Sequence, residues 1–386
     1  MLRTWRAIFS LIAIGAFGAL SNAAPPAAKY ELVDIGALTP LSYSSGFAVS
    51  NSGYVVGLTS NGTTFQQGFI WHEGTGVRLL NLLSGSTEAV ASKVNDAGQA
   101  LGTSFDPTNG VLWNADASVT HVFQSAAIDQ PTGLNNAGLV TGYRNTPGGG
   151  QSAYVWNGSY TDLGFPAPAI SSQGYDINDV GQVAGVFNGG QAYGAFASAP
   201  GAFLWSQAVG FTTIVTSSAF AAIDVRDLSN QGVIVGGGQW NGGANWIGWR
   251  WDASGGYSPL SSLPGSQVSE AYAVNASGLI AGVSGGFGTL WDQEGNIFKA
   301  NDLLAPDFFS WNVSSLWGIN DNGWLTGYAF QSGSPFHHAV LLRPIPEPAS
   351  SGFIAFSFIT LIARRRQKPK VSRATKILAA SAATNG

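Results

Sequence analysis

Two aspartates and a few loop aromatics are the residues best equipped for chemistry. Asp176 and Asp227 fall at the same place in two neighbouring repeat units, one residue before an aliphatic position. Lys93 and Arg226 stand close by in the same pattern. Carboxylates that face each other across a cleft carry out glycoside hydrolysis, so this pair is the candidate for a polysaccharide hydrolase or lyase. The competing expectation is a network of ion pairs capping a channel, because buried charge needs partners and both signs are present. The aromatic candidates are Trp240, Asn241, Asn245 and Trp246 in one connection, with Phe308 and Trp311 in another. A tryptophan ring stacks on the apolar face of a sugar and a neighbouring amide bonds its hydroxyls. These rings are therefore candidates for a glycan platform, the alternative being that they fill gaps between structural units.

Other chemistry is narrower. His72, His121, His337 and His338 lie in no HxxxH or HExxH setting. His337 and His338 are adjacent and would face opposite ways on a strand, so all four are expected to be structural. The pairs Asn95-Asp96, Asn178-Asp179 and Asn320-Asp321 bring to mind calcium, which takes about six to eight oxygen ligands. Each pair supplies too few, and each falls where a tight turn itself wants such residues. No metal or cofactor is expected. The absence of cysteine excludes thiol nucleophiles and thiolate metal sites.

Those residues are carried by a repeat. The stretch GYDINDVGQVAG, ending at Gly185, recurs seven times in degraded form. Each copy runs from an aliphatic residue through polar turn residues to a glycine, then into an alternating apolar strand that ends at a second glycine. The first glycines are Gly53, Gly98, Gly138, Gly181, Gly232, Gly278 and Gly323, spaced 40 to 51 residues apart. Asn, Asp or Ser followed by Gly suits a type I turn closed by a glycine bulge. A third strand follows, with Trp71, Trp113, Trp156, Trp205, Trp251 or Trp291 near its end and Leu342 in the seventh copy. A weaker fourth strand comes next. Four strands at this period are the signature of propeller blades. The expectation is an all-β, seven-bladed β-propeller over residues 30–343. Its N-terminal strand, Tyr30 to Ile35, would complete the last blade and remove an exposed edge. The repeated tryptophans are expected between blades.

The ends differ from the middle. Residues 1–23 carry Arg3 and Arg6, an apolar run and small residues at Ser21-Asn22-Ala23, the pattern of a cleaved signal peptide. Residues 24–29 read as a linker. From Ala24 to Pro348 there are 8 lysines and arginines against 21 acidic residues, a net charge near −13, which argues against nucleic-acid and anionic-membrane partners. Residues 344–348 are proline-rich, 349–363 apolar, and 364–386 a basic tail. Fifteen apolar residues make a helix of about 22 Å, short of a typical bilayer core, so a transient inner-membrane anchor with the repeats outside is expected.

Pro346-Glu347-Pro348, an apolar stretch and Arg364-Arg365-Arg366, in that order, resemble the PEP-CTERM sorting signal of Gram-negative bacteria. That resemblance implies an exosortase-type membrane protease as partner and an association with exopolysaccharide. The chain continues past the basic cluster, from Gln367 to Gly386, where such signals usually stop. The repeats resemble the extracellular HAF repeats: AFLW at Ala202 to Trp205, HHAVLL at His337 to Leu342, and the upstream INDVGQVAG and INDNGWLTG. That family carries no established activity. The functional expectation is a secreted or cell-surface, non-enzymatic binding, adhesion or matrix protein, monomeric by default. The alternatives are a polysaccharide hydrolase or lyase on the same scaffold and a purely structural matrix protein.

Overall fold

The computed structural model describes residues 30–37, 42–60, 66–106, 108–123, 129–146, 149–167, 169–188, 201–216, 220–240 and 243–346. The signal peptide, linker, apolar sorting segment and basic tail lie outside them, as do Glu347, Pro348, Arg364, Arg365 and Arg366. The described strands form seven antiparallel four-stranded sheets, which are the seven blades of a β-propeller. In blades 1 to 6 the four strands follow one another in sequence. Blade 7 takes Trp311–Ile319, Leu325–Gln331 and His337–Pro344 and is completed by Tyr30–Gly36. Tyr30 pairs with Pro344 and Leu32 with Leu342, so this N-terminal strand closes the ring and covers the edge that His337–Pro344 would otherwise expose. Among the described residues the helices are two short 3-10 turns, Ala300–Leu303 and Pro306–Phe308, and no helix is long and apolar enough to cross a membrane.

The inner strands are Ser44–Val49, Glu88–Val94, Gln130–Leu134, Ser171–Ile177, Phe220–Leu228, Ser269–Val274 and Trp311–Ile319. Each ends in the expected turn, and all seven turn glycines hold φ between 75° and 91°, a conformation closed to most side chains. The second glycine of each repeat has a different cause. The second strands do not stop there: they run on to Ser60, Phe105, Asn145, Asn188, Trp240, Ser284 and Gln331. A Cβ on Gly57, Gly102, Gly142, Gly185, Gly236, Gly282 or Gly327 would lie 1.9 to 2.1 Å from an inner-strand carbonyl oxygen. The glycine thus marks a close backbone approach rather than a strand end.

Apolar clusters fill the spaces between blades. One spans blades 6 and 7 with the N-terminal strand, joining Tyr30, Leu32, Leu290, Leu303, Leu316 and Leu342. Trp71, Trp113 and Trp291 are buried as expected. The indole N–H groups of Trp113 and Trp291 donate at 2.9 Å to Asn81 O and Ser261 O of the preceding connections, pinning blade to blade. Trp156, Trp205 and Trp251 are only half-buried. In blade 5 the fully buried indole is Trp249, two residues earlier, bonded to Gly237 O.

Candidate functional site

The central channel draws its character from one irregularity repeated seven times. The pairing of each inner strand with its neighbour slips just before the turn, for example between Gly46 and Ala48, Gly174 and Asp176, and Leu316 and Gly318. The same slip occurs in blades 2, 3, 5 and 6. A β-bulge leaves one residue unpaired and re-aims it. The bulged residues are Phe47, Ser92, Thr132, Tyr175, Arg226, Tyr272 and Trp317. The next residues toward the turn are Ala48, Lys93, Gly133, Asp176, Asp227, Ala273 and Gly318, which form a second layer.

In that second layer the two sequence-predicted carboxylates meet the predicted lysine. Lys93 Nζ lies 2.9 Å from Asp176 Oδ1 and 3.2 Å from Asp227 Oδ1, so one side chain of blade 2 ties blades 4 and 5. The remaining oxygens accept backbone N–H groups of the following blades: Leu228 on Asp176 Oδ2 at 3.0 Å and Val274 on Asp227 Oδ2 at 2.8 Å. Blade 3 lies between and contributes Gly133, whose absent Cβ would sit 2.7 Å from Asp176 Cα and 3.0 Å from Asp176 Oδ1. The missing side chain leaves room for Lys93 to reach across. Burial alone would lower the lysine, yet the two carboxylates outweigh it and raise its pKa. Burial raises Asp176 against the pull of Lys93, with the charge of Asp227 adding to the rise. Two carboxylates sharing one ammonium carry a net negative charge, so both the ammonium and the more buried carboxyl hold their protons tightly.

The bulge layer forms an arc over blades 5, 6, 7 and 1. Arg226 lies over Tyr272, 5.5 Å from its centroid. Tyr272 stacks on Trp317 at 5.1 Å and 16°, and Trp317 meets Phe47 at 4.9 Å. Arg226 also pairs with Asp224 at 2.5 Å and approaches Glu270 at 4.0 Å, while the Tyr272 hydroxyl donates to Glu270 at 2.9 Å. Burial pushes Asp224 up to about 6, opposed by Arg226 and reinforced by Glu270.

The rim on the turn side is a belt of Asn and Asp. Asn51 N–H donates to Asp96 Oδ1, Asp96 N–H to Asn136 Oδ1, Asn136 N–H to Asp179 Oδ1, and Asp179 N–H to Asn230 Oδ1. Ala276 N–H donates to Asp321 Oδ1 and Asp321 N–H to Asn51 Oδ1, carrying the belt across the junction of blades 7 and 1. The preceding residues add a second ring, in which Asn95, Asn135, Asn178, Asn275 and Asn320 each donate a side-chain N–H to the next blade's turn carbonyl. The Asn-Asp pairs therefore serve turns and blade junctions. Among the described residues no group of three or more His, Cys, Asp or Glu side chains is placed to hold a metal. Rim, Lys93 bridge and arc enclose a funnel of about 420 Å³.

The other sequence candidates are described in part. Trp311 opens the inner strand of blade 7 and is 8% exposed in the core, because that strand begins earlier than the repeat pattern indicates. Phe308 packs against the same core. Trp246 is half-buried at the head of a strand, its indole crossing Gly237, where a Cβ would lie 2.1 Å from Nε1. The Asn245 amide donates to Gln267 Oε1 at 3.0 Å. Trp240 ends the second strand of blade 5, and Asn241 lies outside the described residues. The histidines sit in structural contacts: His72 against Tyr54, His121 against Trp156, His337 on Ser45, and His338 on Asp34. Sequence reasoning missed Phe47, Tyr272 and Trp317, whose signal is the column two residues before the repeated aliphatic position.

No family model and no curated protein matches the chain. Solved structures share the architecture. An oligogalacturonate lyase in complex with manganese is 10% identical, with 83% of this chain and 97% of that chain covered and a TM-score of 0.50. The β-propeller domain of the Trilobed protease from Pyrococcus furiosus is 8% identical, with 80% and 99% covered and a TM-score of 0.51. That domain is described as having an open velcro topology, whereas here the N-terminal strand closes the ring. Identities this low speak to the fold alone.

Proposed function

We propose that this chain is a secreted or cell-surface, non-enzymatic propeller that binds carbohydrate in an extracellular matrix. The observation that carries the reading is the state of the axial carboxylates. Every oxygen of Asp176 and Asp227 is engaged by Lys93 or by a backbone N–H, which leaves no free acid-base pair there, while the funnel above them stays open. Amide, hydroxyl and aromatic groups around a cavity of this size are recognition chemistry. Delivery through an exosortase-type protease, and the link to exopolysaccharide, rest on the resemblance at Pro346-Glu347-Pro348 and Arg364-Arg365-Arg366. The test is pull-down of the purified chain with the matrix polysaccharide of its own host, with product release followed in parallel. Retention without release supports the reading; release of oligosaccharides refutes it.

One observation favours the second reading, a hydrolase or lyase. Asp224 is buried, raised to about 6, and shares Arg226 with Glu270, an arrangement that can hold one carboxyl protonated near neutral pH. If product release is seen, loss of that activity in Asp224→Asn, with the variant still folded and melting cooperatively at the assay pH, assigns it to this layer.

A further inference from the structure

We propose that the axial funnel takes the end of a neutral glycan chain, a specificity that rests on the carbohydrate reading above. The first ground is that the funnel narrows away from the rim. The arc of Arg226, Tyr272, Trp317 and Phe47 spans four blades, and Lys93 reaches over from blade 2 to blades 4 and 5. Of the next residues down the inner strands (Ser45, Val90, Gln130, Gln173, Asp224, Glu270 and Ser315), Val90 alone lines the cavity. A cavity narrowed in this way favours a chain end over the middle of a polymer.

The second ground is the character of the narrow part. Tyr272 is covered on one side by Arg226 and on the other by Trp317. Phe47 ends the arc, with Trp317 as its aromatic neighbour among the described residues, and presents the ring on which an apolar sugar face can rest.

The third ground is charge. Asp96, Asp179 and Asp321 stand in the rim, and Lys93 offers no free positive charge because Asp176 and Asp227 share its ammonium. Arg226 is held by Asp224 and Glu270. Low-dielectric walls concentrate the resulting negative field, so a uronate or sulfated terminus is repelled where a neutral one is accepted.

The test uses the full chain and calorimetric titration with neutral linear hexasaccharides of glucose, mannose and galactose, their uronate counterparts, and cyclohexaamylose. The expected result is binding of at least one neutral linear probe. Its uronate form should bind at least tenfold more weakly, and the cyclic probe, which has no end, should not bind. Phe47→Ala should weaken the neutral probe at least tenfold. Ser92→Tyr, which fills the funnel from blade 2, should abolish binding while leaving the melting temperature within a few degrees. Binding that survives both substitutions but fails in Trp246→Ala overturns the funnel and leaves the carbohydrate reading standing. Equal binding of linear and cyclic probes, or preference for the uronate, overturns the chain-end or neutral-ligand specificity. No binding to any probe overturns the funnel assignment, and if the host polysaccharide is also not retained the carbohydrate reading falls with it.

Discussion

Replacing Lys93 with methionine keeps the length of the side chain and removes the ammonium shared by Asp176 and Asp227. In the native ring that ammonium lies 2.9 and 3.2 Å from the two carboxylates, whose other oxygens remain fixed by Leu228 and Val274 N–H. The variant would hold two like charges close together with no counter-charge. Breaking a buried ion pair by removing one partner costs about 3–5 kcal/mol. Lys93 and Asp227 are about one-fifth exposed, at 21% and 18%, so solvent screening lowers the expected loss to about 3 kcal/mol. Urea unfolding of the purified chain measures it. The pH profile gives an independent check of sign. Burial and mutual repulsion raise the folded-state carboxyl pKa, so the folded form binds protons more tightly than the unfolded chain, and stability falls as pH rises through that range. Lys93→Met should therefore regain stability on acidification from pH 8 to pH 5 more steeply than the parent. The triple variant Lys93→Met, Asp176→Asn, Asp227→Asn leaves no charge while each amide oxygen can still accept a backbone N–H, and should recover most of the loss. A single-variant loss below about 1 kcal/mol, or a triple variant no better than the single, would refute the bridge as a tie between blades.

Three other outcomes follow from the same geometry. Asp224 is raised from 3.8 to about 6, which costs the folded state up to about 3 kcal/mol once the carboxyl ionises. This part of the stability is present in acid and lost as pH rises from about 4 through 6, and Asp224→Asn should flatten that part of a melting-temperature profile. Ala276 interrupts the rim belt after Asn230 N–H, and Ala276→Asn supplies the missing acceptor, with an expected gain of about 1 kcal/mol in urea unfolding. Asp at that place should gain less, because Asp321 is the next acceptor around the ring. Gly185→Ala should prevent recovery of soluble, cooperatively melting protein, since the new Cβ would meet Gln173 O at 2.1 Å; normal expression and melting would contradict the close approach.

The blades were legible because their signals are local. A turn glycine in positive φ, a polar residue folding onto its own backbone, and period-two alternation each act within a few residues. The closing strand was legible because Tyr30–Gly36 is a strand without a blade of its own and blade 7 lacks its fourth strand. The axial site was half legible: Lys93, Asp176 and Asp227 occupy matching places in the repeat, and placing them on the axis followed from the turn they precede. Their companions were hidden by the bulge. One extra residue breaks the alternation at Phe47, Tyr272 and Trp317, so a period-two reading puts these rings in the wrong phase. The second glycine was the available sign of that bulge, and reading it as a strand end concealed it. The place of Trp311 has a related cause: the inner strand of blade 7 is nine residues long and begins before the repeat pattern does.

The information that defines the axis runs across the repeats rather than along the chain. At the second turn position the residues around the ring are Asn51, Asp96, Asn136, Asp179, Asn230, Ala276 and Asp321. Each must offer a side-chain oxygen to the preceding blade's N–H, which admits Asn and Asp. Adjacent carboxylates would repel, and adjacent Asn and Asp gain amide-to-carboxylate bonds such as Asn136 Nδ2 to Asp179 Oδ2 and Asn230 Nδ2 to the same oxygen, both at 2.9 Å. Alternation satisfies both demands in a ring of even number. Seven is odd, so one place cannot alternate, and Ala276 occupies it, bearing no oxygen at all. At the junction it leaves unbelted, between blades 5 and 6, Asp227 bonds Val274 N–H and Arg226 approaches Glu270. The rim and the charged axial layer thus work at the same junctions: Asp176 adds its bond to Leu228 N–H where the belt is closed, and Asp227 and Arg226 hold the one junction where it is not.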